Sequence, residues 1–137
     1  MKKEGTKNLF NYNAYKNLVE TINVKAESPE DCEELHEMVE LSLKSCLDYV
    51  QAVDAMELAM PRIMATCKGA EFRDRLSGYD HSRRVSHDAA IAQARIVNRL
   101  CKMYEIEPVC TADLDDRIQV ADYCIDVVTT VFNYREQ

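Results

Sequence analysis

An all-α, single-domain bundle of four or five helices is the fold class this sequence predicts, and three observations carry it. Apolar residues recur at alternating steps of three and four through most of the 137 residues, the spacing of one helix face. Only three glycines and three prolines interrupt them, too few for the turns of a sandwich or a barrel. With 47% apolar and 30% charged residues the composition is that of a globular domain, long enough to bury about two-thirds of its unfolded surface in one core. A loose polar tail is expected over residues 1–10 and one helical domain over 11–137, with long helices near 29–60, 80–105 and 113–134.

Taken in order, Tyr12, Tyr15, Leu18, Val19 and Ile22 predict a short helix over 11–23. The clearest start signal follows at Ser28-Pro29-Glu30-Asp31. Ser28 can cap free N–H groups, Pro29 is pre-set for the first helical position, and the two acids complement the positive helix end. From there Leu35, Val39, Ser42, Cys46, Tyr49, Val53, Met56 and Met60 keep helical spacing up to Pro61, which is expected to kink or end the helix by removing a hydrogen bond. Beyond it, Ile63, Met64 and Cys67 suggest a short piece closed by Gly69, and residues 71–77 another closed by Gly78. Met56, Met60 and Met64 form a pliable apolar patch, either core filling or a groove for a partner helix.

The stretch 80–105 carries the widest apolar face and the densest cationic one. Val85, Ala89, Ala92, Ile96, Leu100 and Met103 fall in one narrow stripe, widened on one flank by Ala90, Ala94, Val97, Cys101 and Tyr104. Opposite lie Arg84, Asp88, Arg95, Arg99 and Lys102. Residues 105–112, with Pro108, read as a connector. The last helix, opened by Thr111 or Asp113, carries Leu114, Ile118, Ala121, Ile125, Val128 and Phe132, beside a second stripe of Val120, Cys124, Val127 and Val131. That period overrides the strand propensity of its β-branched residues.

Charge is unevenly spread. The net charge is −7, yet residues 27–57 hold ten acidic side chains and one basic, whereas 68–102 hold eight basic and four acidic. The expected outcome is that the two regions face each other within the fold or across a homodimer; an anion site on the basic surface is the alternative. The overall acidity argues against nucleic acid, as does the lack of aromatic residues between the arginines. Six cysteines, with no C-x-x-C pair and no secretory signal, imply reduced thiols in a cytoplasm, most of them acting as small core hydrophobes, with Cys110 the candidate for an exposed thiol. No apolar run approaches the eighteen or so residues of a membrane span.

The segments SRRVSHDAAIAQARIVNRLCKMYEIEPV and DRIQVADYCIDVVTTVFNYR resemble a family of small all-helical bacterial proteins catalogued only as a domain of unknown function. The likeness is strongest over residues 80–135. It implies a helical fold and a bacterial cytoplasmic setting, and lends no catalytic residue to any position.

Three constellations could carry chemistry. His36, His87, Asp88 and either Asp122 or Asp126 occur in the order used by metal-dependent phosphohydrolases of the His-Asp type, where such residues hold metals that activate water. Against this, Arg84 lies four residues before Asp88, which can simply neutralise a crowded cationic flank. Glu37-x-x-Glu40 and Asp54-x-x-Glu57 imitate a magnesium-binding pyrophosphatase pair, but one uninterrupted helix would hold them roughly 25 Å apart. Glu33-x-x-His36 is half of a di-iron signature without its second copy. That leaves the cationic group, with Arg84, His87, Asp88, Arg95 and Arg99 as candidates to bind an anion or a partner. We expect a non-enzymatic helical interaction or regulatory module, with a homodimer or protein partner, no cofactor and no resident metal. A hydrolase of small phosphorylated molecules is the alternative, and a basic-surface anion or nucleic-acid binder the third.

Overall fold

Asn11 opens the first helix: its Oδ1 accepts from the Ala14 N–H at 3.0 Å, and α1 runs Tyr12–Lys25. The computed structural model describes residues 9–134. Most of the tail expected over 1–10 lies outside them. Its last two residues, Leu9 and Phe10, are buried, because Phe10 pairs in antiparallel fashion with Cys110 and its neighbours exchange the hydrogen bonds Asn11 N–H to Val109 and Thr111 N–H to Leu9.

Helix α2, Pro29–Thr66, starts as the sequence signals: Pro29 sits in the first turn and the Ser28 hydroxyl accepts from the Asp31 N–H. It does not stop near residue 60. Pro61 lies inside the helix at an exposed position, where water can satisfy the carbonyl that the proline leaves without a partner. The two short pieces expected between 61 and 80 are absent as well. Cys67 and Lys68 alone make the reversal, helped by Gly69 at φ +60°, and α3 runs unbroken from Gly69 to Met103, through Gly78. The start near residue 80 is therefore corrected to Gly69. At its other end Glu105, at φ 60°, turns the chain left-handed, and Ile106 donates back to the Cys101 carbonyl.

The last helix also differs from expectation. Asp116, not Thr111 or Asp113, is its cap, accepting from the Ile118 and Gln119 N–H groups, so α4 runs Arg117–Val131. Asp113 is used one turn earlier, where its carboxylate accepts from the Asp115 N–H and its own amide donates to Gln119.

These four helices share one core. From α2 it takes Val39, Leu43, Cys46, Tyr49 and Val50, and from α4 Val120, Tyr123, Cys124, Val127 and Val128, with Leu18 and Ile22 of α1 closing one side. From α3 it takes Ala90, Ala94, Val97, Leu100 and Cys101. This reverses the expected order of its two stripes: the flank is buried, and of the supposed central stripe only Leu100 enters the core. Cys110 is only 3% exposed, enclosed by the pairing with Phe10, and burial pushes its thiol up to about 11. Beyond Val50 and His87 the α2–α3 hairpin leaves the core as a two-helix arm. It extends for about 24 Å at 1.5 Å per residue, with only Ile63 and Cys67 buried along it.

Candidate functional site

The stripe of α3 that the core does not use is the first candidate. Val85 is 53% exposed, Ile96 37% and Met103 66%, and Ala89, Ala92 and Arg99 between them are exposed too. Their steps of four, three, four, three and four are those of a heptad seam rather than of a free 3.6-residue period. Along one edge of this seam stand Asp88, Arg95 and Lys102, seven residues apart, all exposed. Arg95 reaches Asp115 at 3.5 Å.

Beside that charged edge of α3, a cleft of about 410 Å³ opens toward the start of α4; Arg83, Arg84, His87 and Arg117 line it together with Asp88 and Asp115, and Ile91 and Leu114 form its apolar part. Asp80 fixes the two adjacent arginines. Arg83 donates to its Oδ1 through Nε and Nη2 at 3.0 and 2.8 Å, and Arg84 approaches Oδ2 through Nε at 3.2 Å. The hydrogen bonds from Arg83, and then the charges of both arginines, hold the Asp80 carboxyl below its ordinary range. His87 is 7% exposed, with its ring edge-on to Tyr49 at 5.4 Å. Its Nε2 is buried without a hydrogen-bond partner among the described residues. Burial raises the Tyr49 phenol, with Arg83 beside it pulling the other way.

A third feature lies on the arm. The stripe of α2 that α4 covers in the body continues as Val53, Met60 and Met64, which with Met56 line an apolar groove of about 800 Å³ bounded by Arg83. The methionines expected as either core or groove are groove.

The predicted residues divide accordingly. Arg84, His87 and Asp88 do line one cleft, Arg95 stands next to it through Asp115, and Arg99 belongs to the seam. Arg117 was not singled out by the sequence; the only hint was an Asp-Arg step ready to start a helix. His36, His87, Asp88 and Asp122 are not brought together. His36 Nε2 lies 2.7 Å from Asn23 Oδ1, and His87 packs level with Tyr49, thirteen residues and about 20 Å farther along α2. Among the described residues no group of three His, Cys, Asp or Glu side chains is placed to hold a metal ion. The two acidic pairs at 37/40 and 54/57 share the continuous α2, so their carboxylates do not converge. The basic stretch does not pair with the acidic one either. Its ion pairs among the described residues are local, to Glu71, Asp80 and Asp88 on α3 and to Asp115. No helix is long and apolar enough to cross a membrane among the described residues.

Comparison with known proteins assigns a family and no activity. The chain belongs to the family described as a protein of unknown function (DUF3232), whose model matches residues 6–137. No curated protein and no solved structure matches it.

Proposed function

We propose that the protein is a non-enzymatic helical interaction module that docks through the exposed seam of α3, and that the occupant is a second copy of the chain. The observation that carries this is the heptad-spaced stripe, apolar except at Arg99, standing outside the core. A globular monomer gains nothing from such a stripe, whereas a partner helix can bury it.

Its chemistry favours self-pairing in the antiparallel sense. Centre the pairing between Ala92 and Ile96, and every layer matches a small or branched residue with a long one: Ala92 with the second copy's Ile96, Ala89 with its Arg99, Val85 with its Met103. In the same register Asp88 faces the second copy's Lys102, twice over by symmetry. Arg95 falls beside the twofold axis, where its own Asp115 offsets the like charge. Burying what Val85, Ile96 and Met103 expose gives roughly 5–9 kcal/mol for two copies, the same order as the cost of association. The product is a weak dimer, appreciably populated only at high protein concentration. The six unpaired cysteines suit a cytoplasmic setting for it.

Sedimentation equilibrium over a concentration series tests this. The mass of the native protein should rise toward that of a dimer, and Ala92→Glu, at an exposed position, should hold it at the monomer. Asp88→Lys and Lys102→Asp should each weaken pairing, and the two together should restore it. A native protein that stays monomeric throughout, or a double variant no better than the singles, rejects the proposal.

A further inference from the structure

The cleft between α3 and α4 shares Asp88 and Asp115 with the seam, but its arginines and His87 take no part in the proposed pairing. The geometry points to a binding site for a small organic phosphate monoester, held by Arg84, Arg117 and His87 with Arg83 at the back of the cleft.

Charge comes first. Although Asp80, Asp88 and Asp115 bring the local charge balance close to neutral, one cavity of about 410 Å³ gathers three guanidinium groups in a molecule whose net charge is −7. They are not equally occupied. Arg83 spends its Nε and Nη2 on Asp80, Arg84 meets the same carboxylate only through Nε, and Arg117 forms no ion pair among the described residues. Asp80 thus holds the two α3 arginines in place while leaving donors pointing elsewhere. The acids at the edge compete weakly: the side chains of Asp88 and Asp115 are 83% and 90% exposed, where water screens them, and Asp115 is turned toward Arg95.

His87 is the second observation, independent of the arginines. A buried ring nitrogen without a partner is costly in a folded protein, and His87 sits in the wall of this cleft. An anionic oxygen that reached Nε2, which the present ring orientation closes to solvent, would accept from an Nε2–H and remove the cost.

Shape then selects the class. The donors come from two helices, three side chains from α3 and Arg117 from the start of α4. A tetrahedral phosphate presents three peripheral oxygens to such a set, whereas a carboxylate presents two in a single plane. Ile91 and Leu114 supply an apolar wall, and the volume exceeds that of the phosphoryl group alone, which leaves room for an organic substituent.

Calorimetric titration with phenyl phosphate, inorganic phosphate and benzoate at constant ionic strength tests the site, with the ring nitrogens of His87 followed by NMR. Phenyl phosphate should bind saturably and more tightly than either comparator, and should shift the His87 Nε2 resonance. Arg84→Ala and Arg117→Ala, both at exposed positions, should each lower the affinity about tenfold. Arg75→Ala on the arm should leave it unchanged. The inference is overturned if phenyl phosphate does not saturate, if benzoate binds as tightly, or if the Arg84→Ala/Arg117→Ala protein binds like the native one. An unmoved His87 resonance counts the same way. Because Asp88 and Asp115 border both the cleft and the seam, titrating the Ala92→Glu protein alongside the native one separates this site from the dimer.

Discussion

Asn98→Ala should loosen the connector on which the cleft depends, and its cost can be worked from two hydrogen bonds. Asn98 stands on α3 facing the buried Cys110 peptide: its Nδ2 donates to the Cys110 carbonyl at 2.9 Å and its Oδ1 accepts from the Cys110 N–H at 3.0 Å. The pairing with residues 9–11 uses the carbonyl of Val109 and the N–H of Thr111, which point the other way, so no other backbone group relieves Cys110. Alanine leaves one donor and one acceptor without partners on Cys110, which is itself only 3% exposed. At roughly 1–3 kcal/mol for each orphaned group, and allowing water to reach one of them, the loss is about 2–4 kcal/mol. Equilibrium urea unfolding should show it as a lower midpoint at unchanged slope, and hydrogen exchange should show the Cys110 amide losing protection. Because the connector carries Leu114 and Asp115 and leads into Arg117, affinity for phenyl phosphate should fall as well. A loss below about 0.5 kcal/mol with the Cys110 amide still protected would refute the reasoning, since an unpaired buried peptide cannot cost so little.

Two further outcomes follow from titration. Asp80 is held below its ordinary value of 3.8 by Arg83 and then Arg84, so its contribution is present above that value and is lost as the pH falls through the lower value of the folded protein. Asp80→Asn should therefore melt slightly lower than native at neutral pH, with the gap closing in acid; a gap independent of pH contradicts the assignment. At the alkaline end the sign reverses: burial raises Cys110 from 9.0 to about 11 and Tyr123 well above its ordinary value, while hydrogen bonding with the Cys124 thiol, and then burial, raises Cys46. For Cys110 the stabilisation that the neutral thiol supplies is complete below pH 9.0 and disappears as the pH rises toward 11, at up to about 1.4 kcal/mol per pH unit, whereas for Tyr123 the loss begins only above its ordinary value of 10.0. Cys110→Ser should flatten that decline in urea midpoints by one group's share, and parallel native and variant curves would contradict it.

The sequence by itself determined the class, the number of long helices and several of their ends. Ser28-Pro29 starts α2 where a hydroxyl cap and a pre-set proline should, because capping is decided by atoms within one turn. Pro61 misled because its penalty depends on whether the freed carbonyl can reach water, and that is a property of the arm, not of the residue. The stripes of α3 show the limit most clearly. Periodicity identified two adjacent apolar stripes on one helix, and no local rule ranks them. Only the arrival of α2 and α4 over Ala90, Ala94, Val97 and Cys101 made one the core and left Val85, Ala89, Ala92, Ile96 and Met103 outside. Likewise Arg84, His87 and Asp88 were visible as neighbours in the chain, whereas Arg117 joined them only when the connector folded back. Helix formation is a matter of neighbours three and four residues apart, and the sequence records it. Which face is buried, and which distant charges meet, is settled by long-range packing, because it depends on what the rest of the chain brings alongside.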